Sequence, residues 1–218
     1  MNRPQRVAGI TVALGAAALF ALIAGRVMHG GPLALDAQAS AWLIAHGTPP
    51  FSRFMWQMTQ LHGSLVVGIY ALIVAGILAW KRRWHWVGAV ALIVHGGLVM
   101  NIVMKQLLQR ARPPAHDPQL VWTIYSFPSG HTAAATLFYG LLAVLAMSRM
   151  RGWLARTACV LAAAIMVTLV GTSRVYLGVH YPSDVIGAAA WSLAWIAFWL
   201  TVIDASRERR APAALPAQ

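Results

Sequence analysis

The sequence predicts an all-α integral membrane bundle of six transmembrane helices, with a short amphipathic helical region between the first and second. Three observations lead there. Of 218 residues, 59% are hydrophobic and only 10% are charged, whereas a soluble domain would carry about a quarter charged. The apolar residues come in blocks of about 20, the length that crosses roughly 30 Å of hydrocarbon. The basic residues behind the net charge of +12 gather in short clusters beside those blocks, the arrangement that sets membrane orientation. A nucleic-acid binder would spread them along one polar face, so no nucleic-acid partner is expected.

The first span covers 7–27, after Arg3 and Arg6 and up to Arg26. Its apolar run is long for a signal-peptide core, so it reads as a retained anchor. In the following loop, "LDAQASAWLIAHG" (35–47) carries Leu35, Ala39, Trp42, Leu43 and Ala45 near a helical stripe, with Asp36, Gln38 and Ser40 off it. That pattern suits a helix lying at the membrane interface. "GTPP" (47–50) breaks it, and a second short helix over 51–63 is expected, capped by Ser52.

The remaining spans cover 63–80, 85–107, 131–148, 152–172 and 183–203. Lys81, Arg82 and Arg83 separate the second from the third, flanked by Trp80, Trp84 and Trp86 as in an interfacial belt. Arg149, Arg151, Arg156 and Trp153 mark the junction of the fourth and fifth, and Arg207, Arg209 and Arg210 follow the sixth. These clusters share one side, which is therefore cytoplasmic and holds both termini; the loops at 28–62, 108–130 and 173–182 face outward. The chain reads as one domain over 1–218, with 206–218 a disordered tail. Cys159 sits alone in an apolar run, a buried thiol with no disulfide partner. His95 and Asn101, inside the third span, are expected to hydrogen-bond between helices.

Three polar clusters interrupt the outward ends of the spans. In "KQLLQRARPP" (105–114), Lys105 and Arg112 are two helical turns apart, hence on one face of a helix that Pro113 ends at Arg112. In "FPSGHTAAATLF" (127–138), Ser129, Gly130 and His131 open the fourth span, where free backbone N–H groups make an anion site. Glycine there lets an oxyanion approach the backbone. In "SRVYLGVHYPSDV" (173–185), Pro182 fits the first helical position of the sixth span and Asp184 its first turn. Asp184 lies four residues from His180, so its carboxylate can accept from one ring nitrogen, fix the tautomer and leave the other nitrogen free.

Each cluster alone has an ordinary structural reading as snorkelling cations, a hydroxyl cap or a satisfied histidine. Together they put Lys105, Arg112, Arg174, a serine-glycine helix terminus and two histidines on one face. Only two carboxylates, Asp117 and Asp184, lie in these regions, too few for a divalent metal among so many cations. Such a set suits a phosphate, which arginine binds bidentately and lysine as a point charge.

"K-Q-L-L-Q-R-A-R-P", "P-S-G-H" and "S-R-V-Y-L-G-V-H-Y-P-S-D" together resemble the signature of the type 2 phosphatidic acid phosphatase superfamily, K-x6-R-P, P-S-G-H and S-R-x5-H-x3-D, without departure over 105–184. The first hundred residues match that family only in layout. The resemblance implies a membrane lipid phosphatase in which His180 attacks phosphorus and becomes a phosphohistidine, oriented by Asp184. It implies that His131 protonates the leaving oxygen and then activates water. Lys105, Arg112, Ser129, Gly130 and Arg174 would hold the phosphate oxygens, without metal or cofactor. Arg110, His116 and Asp117 fall outside the signature and read as rim residues. The expected substrate is a lipid phosphate at the periplasmic face of a bacterial inner membrane: undecaprenyl diphosphate foremost, then phosphatidylglycerol phosphate or phosphatidic acid. Two alternatives stand beside this: a lipid phosphotransferase sharing the first half-reaction, and a transporter with Arg174, His180 and Asp184 along its pathway.

Overall fold

The computed structural model describes residues 3–30, 33–114 and 123–210. Among them it is all-helical: α1 (Arg3–Gly30), α2 (Ala34–Ala45), α3 (Pro49–Leu61), α4 (Ser64–Trp80), α5 (Trp84–Leu108), α6 (Gly130–Met147), α7 (Trp153–Tyr176) and α8 (Pro182–Arg210). A π-helical segment, Ala91–His95, interrupts α5. Helices α1, α5, α6, α7 and α8 are each long and apolar enough to cross a membrane. The sixth crossing is composite. With 17 residues, α4 reaches only about 26 Å, and it qualifies together with α3, from which it bends by 55°.

Helix α6 forms the centre, with Thr132 through Phe138 all buried. Its Ala134 and Leu137 meet Val67 and Ala71 of α4 and Ile93 and Val94 of α5 in a fully enclosed cluster. Lipid tails are as apolar as leucine, so helices in a membrane approach through small residues. At Gly171 of α7 and Gly187 of α8, a Cβ would lie 2.5 Å from Val185 and 2.6 Å from Phe127. These contacts lie within a turn of Arg174 and Asp184 and fix the helix ends that carry them. The outer faces stay apolar, as at Leu22, Leu65 and Leu161.

The successive spans alternate in direction. Trp80, Trp84 and Trp153 therefore stand exposed at one end, where Arg6 Nε donates to Asp204 Oδ2 at 3.1 Å and ties α1 to α8. The end of α5, the start of α6, the end of α7 and the start of α8 meet at the other.

Several expectations change. The break after α2 falls at 46–48 as expected, but α3 begins at Pro49 instead of at 51, because a proline lacks only an N–H that the first turn leaves unused. Thr48 precedes the helix, and Ser52 lies inside it, donating to the Thr48 carbonyl at 3.0 Å. The expected helix through Arg112 stops at Leu108, since Gln109 adopts a left-handed backbone (φ 44°). Lys105 and Arg112 thus share no helical face. In α2, Asp36 is not on a solvated edge: it is 2% exposed, while Leu35 and Trp42 point outward. Residues 206–210 continue α8, and 211–218 lie outside the described residues, as do His116 and Asp117. His95 does bond between helices, donating from Nε2 to the Gly68 carbonyl at 3.3 Å. Asn101 does not follow suit: its buried Oδ1 has no hydrogen-bond partner among the described residues.

Candidate active site

A cavity of about 500 Å³ opens between the α3–α4 junction, the last turns of α5, the start of α6, the end of α7 and the turn that follows it. Lys105, Arg112, Gly130, His131, Arg174 and His180 all line it, joined by Thr59, Ser64, Asn101 and Thr123. Leu65, Val66, Leu98 and Ile102 form an apolar wall. Leu65 and Ile102 are also exposed on the outside of the bundle.

Lys105 projects from the last turns of α5, where Nζ donates to the carbonyls of Tyr125 at 3.0 Å and Ser126 at 3.1 Å. Arg112 arrives from the following loop. Its guanidinium donates to the Thr123 carbonyl at 2.9 Å and the Val179 carbonyl at 2.7 Å. Arg174, on the last turn of α7, is 2% exposed and donates to Thr59 Oγ1. Three cations thus surround one cavity, each aimed by hydrogen bonds to neutral oxygens.

Gly130 and His131 begin α6. A Cβ at Gly130 would meet Ser64 Oγ at 3.3 Å and Asn101 Nδ2 at 3.6 Å, so only glycine leaves that helix end open. Ser129 is fully buried, its N–H donating to the Asp184 carbonyl at 3.2 Å. Its hydroxyl accepts from Thr132 at 3.1 Å. Ser129 therefore secures the turn behind the cavity.

Helix α7 closes at Gly178, whose φ of 69° is readily open only to glycine. The chain folds back there, and the N–H groups of Val179 and His180 bond the Arg174 carbonyl at 3.2 and 3.3 Å. That turn sets the His180 ring against Asp184: Nδ1 lies 3.2 Å from Oδ2, which also accepts from the Tyr181 N–H at 3.0 Å. On the other side, Nε2 stands 3.4 Å from Arg112 Nη1. A guanidinium only donates and a carboxylate only accepts. The ring is therefore protonated on Nδ1, with the Nε2 lone pair toward the cavity.

Burial, and after it the charges of Lys105, Arg174 and Arg112, hold the His180 imidazole well below its ordinary value of 6.5. Nε2 is thus unprotonated at neutral pH. A depressed histidine leaves the folded state with fewer protons than the unfolded chain once the pH drops below 6.5. Stability should then fall by up to about 1.4 kcal/mol per pH unit from this group. In detergent melts between pH 7.5 and 5, His180→Gln should gain on the wild type as the pH drops. An unchanged difference in Tm would contradict a neutral buried imidazole.

Sequence reasoning missed a second layer. Arg110, read as a rim residue, is 8% exposed and does not line the cavity. It donates to Asp184 Oδ1 at 2.5 Å and to Asp36 Oδ2 at 2.9 Å. Asp36 in turn accepts from the Ser183 N–H at 2.9 Å and the Ser183 hydroxyl at 2.6 Å. One available signal was rarity, since Asp36 is among only five acidic residues in the chain.

Three cations, an open helix N-terminus and a carboxylate-held imidazole at one end of a multi-pass bundle define the phosphate-handling class of membrane enzyme. Comparison with known proteins makes this specific: the description of the PAP2 superfamily matches residues 84–208, which contain every cation and histidine of the cavity. Phosphatidylglycerophosphatase B of Bacillus subtilis is 30% identical over 186 residues, 84% of this chain and 89% of that protein. Lipid A 1-phosphatase of Rhizobium johnstonii is 33% identical over 192 residues, 82% and 68% of the two. The crystal structure of the transmembrane PAP2 type phosphatidylglycerolphosphate phosphatase from Bacillus subtilis superposes with a TM-score of 0.75 at 25% identity, covering 92% of this chain and 98% of that one. The chain belongs to the PAP2 superfamily and is a membrane phosphatase.

Proposed function

We propose that the protein hydrolyses a lipid phosphate or diphosphate through a phosphohistidine on His180, at the periplasmic face of a bacterial inner membrane. The observation that carries this is the His180 ring. Its Nδ1–H is taken by Asp184, and its Nε2 lone pair faces a cavity lined by Lys105, Arg112 and Arg174.

The Nε2 pair attacks phosphorus, and the bond from phosphorus to the lipid oxygen breaks. That oxygen takes a proton from His131, which lines the same cavity. Water then attacks the phosphohistidine, giving its proton to His131 as the P–N bond breaks and phosphate leaves. Phosphoryl transfer asks the protein mainly for position and charge. Lys105, Arg112, Arg174 and the N-terminus of α6 supply both, so the reaction requires no metal ion. The apolar wall between α4 and α5 gives the lipid tail a path to the bilayer while the headgroup occupies the cavity. The basic clusters at the opposite end support an outward-facing site.

The substrate names of the Bacillus relatives favour phosphatidylglycerol phosphate as the first lipid to test, with undecaprenyl diphosphate and phosphatidic acid beside it. Purified protein with excess EDTA should release phosphate from at least one of these. No release from any of them by folded protein, or release that EDTA abolishes, would sink the reading. Gly130→Ala should lower kcat/KM about 10- to 100-fold, because the methyl obstructs close approach to the helix end. Steady-state kinetics that match the wild type would remove Gly130 from the phosphate site.

A further inference from the structure

We propose that Asp36 and Arg110 are positioning residues that hold the Asp184–His180 pair in register; this rests on the reading of His180 as nucleophile. Asp184 divides its two oxygens. Oδ2 faces His180 Nδ1 and the Tyr181 N–H, and Oδ1 is taken by Arg110 Nη1. A carboxylate anchored at one oxygen can turn about its terminal bond, whereas one held at both presents a single oxygen to the imidazole. Arg110 provides the second anchor.

Arg110 is held in turn. Its Nη1 also reaches Ser183 Oγ at 2.8 Å, its Nη2 meets Asp36 at 2.9 Å, and its guanidinium carbon stands 4.2 Å above the Tyr181 ring. Asp36 comes from α2, 147 residues before Ser183, yet accepts the Ser183 N–H. It therefore caps α8 from outside that helix, satisfying an N–H the first turn leaves unpaired. The helix it caps carries Asp184 in the same turn. Asp36 also draws the second arm of Arg110 away from the cavity, so the phosphate site keeps three cations rather than four. A lysine could not reproduce this, having a point charge where the geometry needs a planar fork between two carboxylates.

The test uses full-length Asp36→Asn, Arg110→Gln, Arg110→Lys and the Asp36→Asn/Arg110→Gln double variant in detergent, with dioctanoyl phosphatidic acid as substrate and orthovanadate as phosphate mimic. Neither residue lines the cavity, so kcat should fall about 10- to 100-fold while KM and the vanadate inhibition constant stay within about threefold. The double variant should be no worse than the poorer single one, since both act through Asp184, and Arg110→Lys should recover little. Wild-type kcat in Asp36→Asn and Arg110→Gln, or loss of vanadate affinity in parallel with kcat, would overturn the inference. Failure of every variant to fold would also overturn it, assigning the pair to stability alone. His180→Ala is run alongside: if it retains activity, the nucleophile reading has failed; if it is inactive while the pair's variants match wild type, only this inference has.

Discussion

His180→Ala should reduce phosphate release by at least about 10⁴-fold, because the atom that forms the new bond is gone. The remaining site explains why binding should survive. Lys105 and Arg112 are held by backbone carbonyls, not by His180 alone, and Arg174 is held through Thr59. Asp184 keeps its contacts with Arg110 and the Tyr181 N–H. The variant should thus fold, bind orthovanadate and lipid phosphate, and turn over nothing. Melting temperature, vanadate binding and phosphate release on one preparation check all three. Residual turnover within tenfold of wild type would exclude His180 as nucleophile.

Asp184→Asn should cost about 10³-fold in kcat with KM little changed, the pattern of an interaction that matters only in the transition state. The amide has the same shape, but its NH₂ can donate toward His180. That would favour the tautomer carrying its proton on Nε2 and withdraw the lone pair from the cavity. It would also leave Arg110 paired with Asp36 alone among the described carboxylates. Kinetics of Asp184→Asn and Asp184→Ala separate these effects. If orientation and charge drive the loss, both should be impaired about equally in kcat. A large rise in KM would instead place Asp184 in substrate binding.

What was legible from sequence follows from range. The six apolar blocks are local patterns, and they correspond to α1, α4, α5, α6, α7 and α8, with α3 completing the short α4. His180 and Asp184 are four residues apart across a proline turn, close enough for spacing to bring them together. Spacing places Lys105 and Arg112 on one helix because it cannot show the left-handed turn at Gln109; they reach the same cavity by another route. The helical stripe in 35–47 leaves Asp36 off the apolar face of an amphipathic helix. What overturned that is its pairing with Arg110, 74 residues away, and with Ser183, 147 away. Arg110, two residues before Arg112, looked like rim for the same reason. Such contacts exist only once α2, the loop after α5 and the start of α8 meet. Asn101 illustrates the converse: polarity in a span marked it as unusual, but its neighbours in three dimensions made it part of the cavity wall.

If His180 is the nucleophile, phosphorus becomes bonded to its Nε2 during turnover. Rapid quenching of wild-type protein into alkali during hydrolysis of a ³²P-labelled lipid phosphate, followed by peptide mapping, tests it directly. A base-stable, acid-labile label should appear on the peptide containing His180, formed within one turnover and absent from His180→Ala. A wild type that releases phosphate in a burst with no label on that peptide, or with the label on His131, would contradict it.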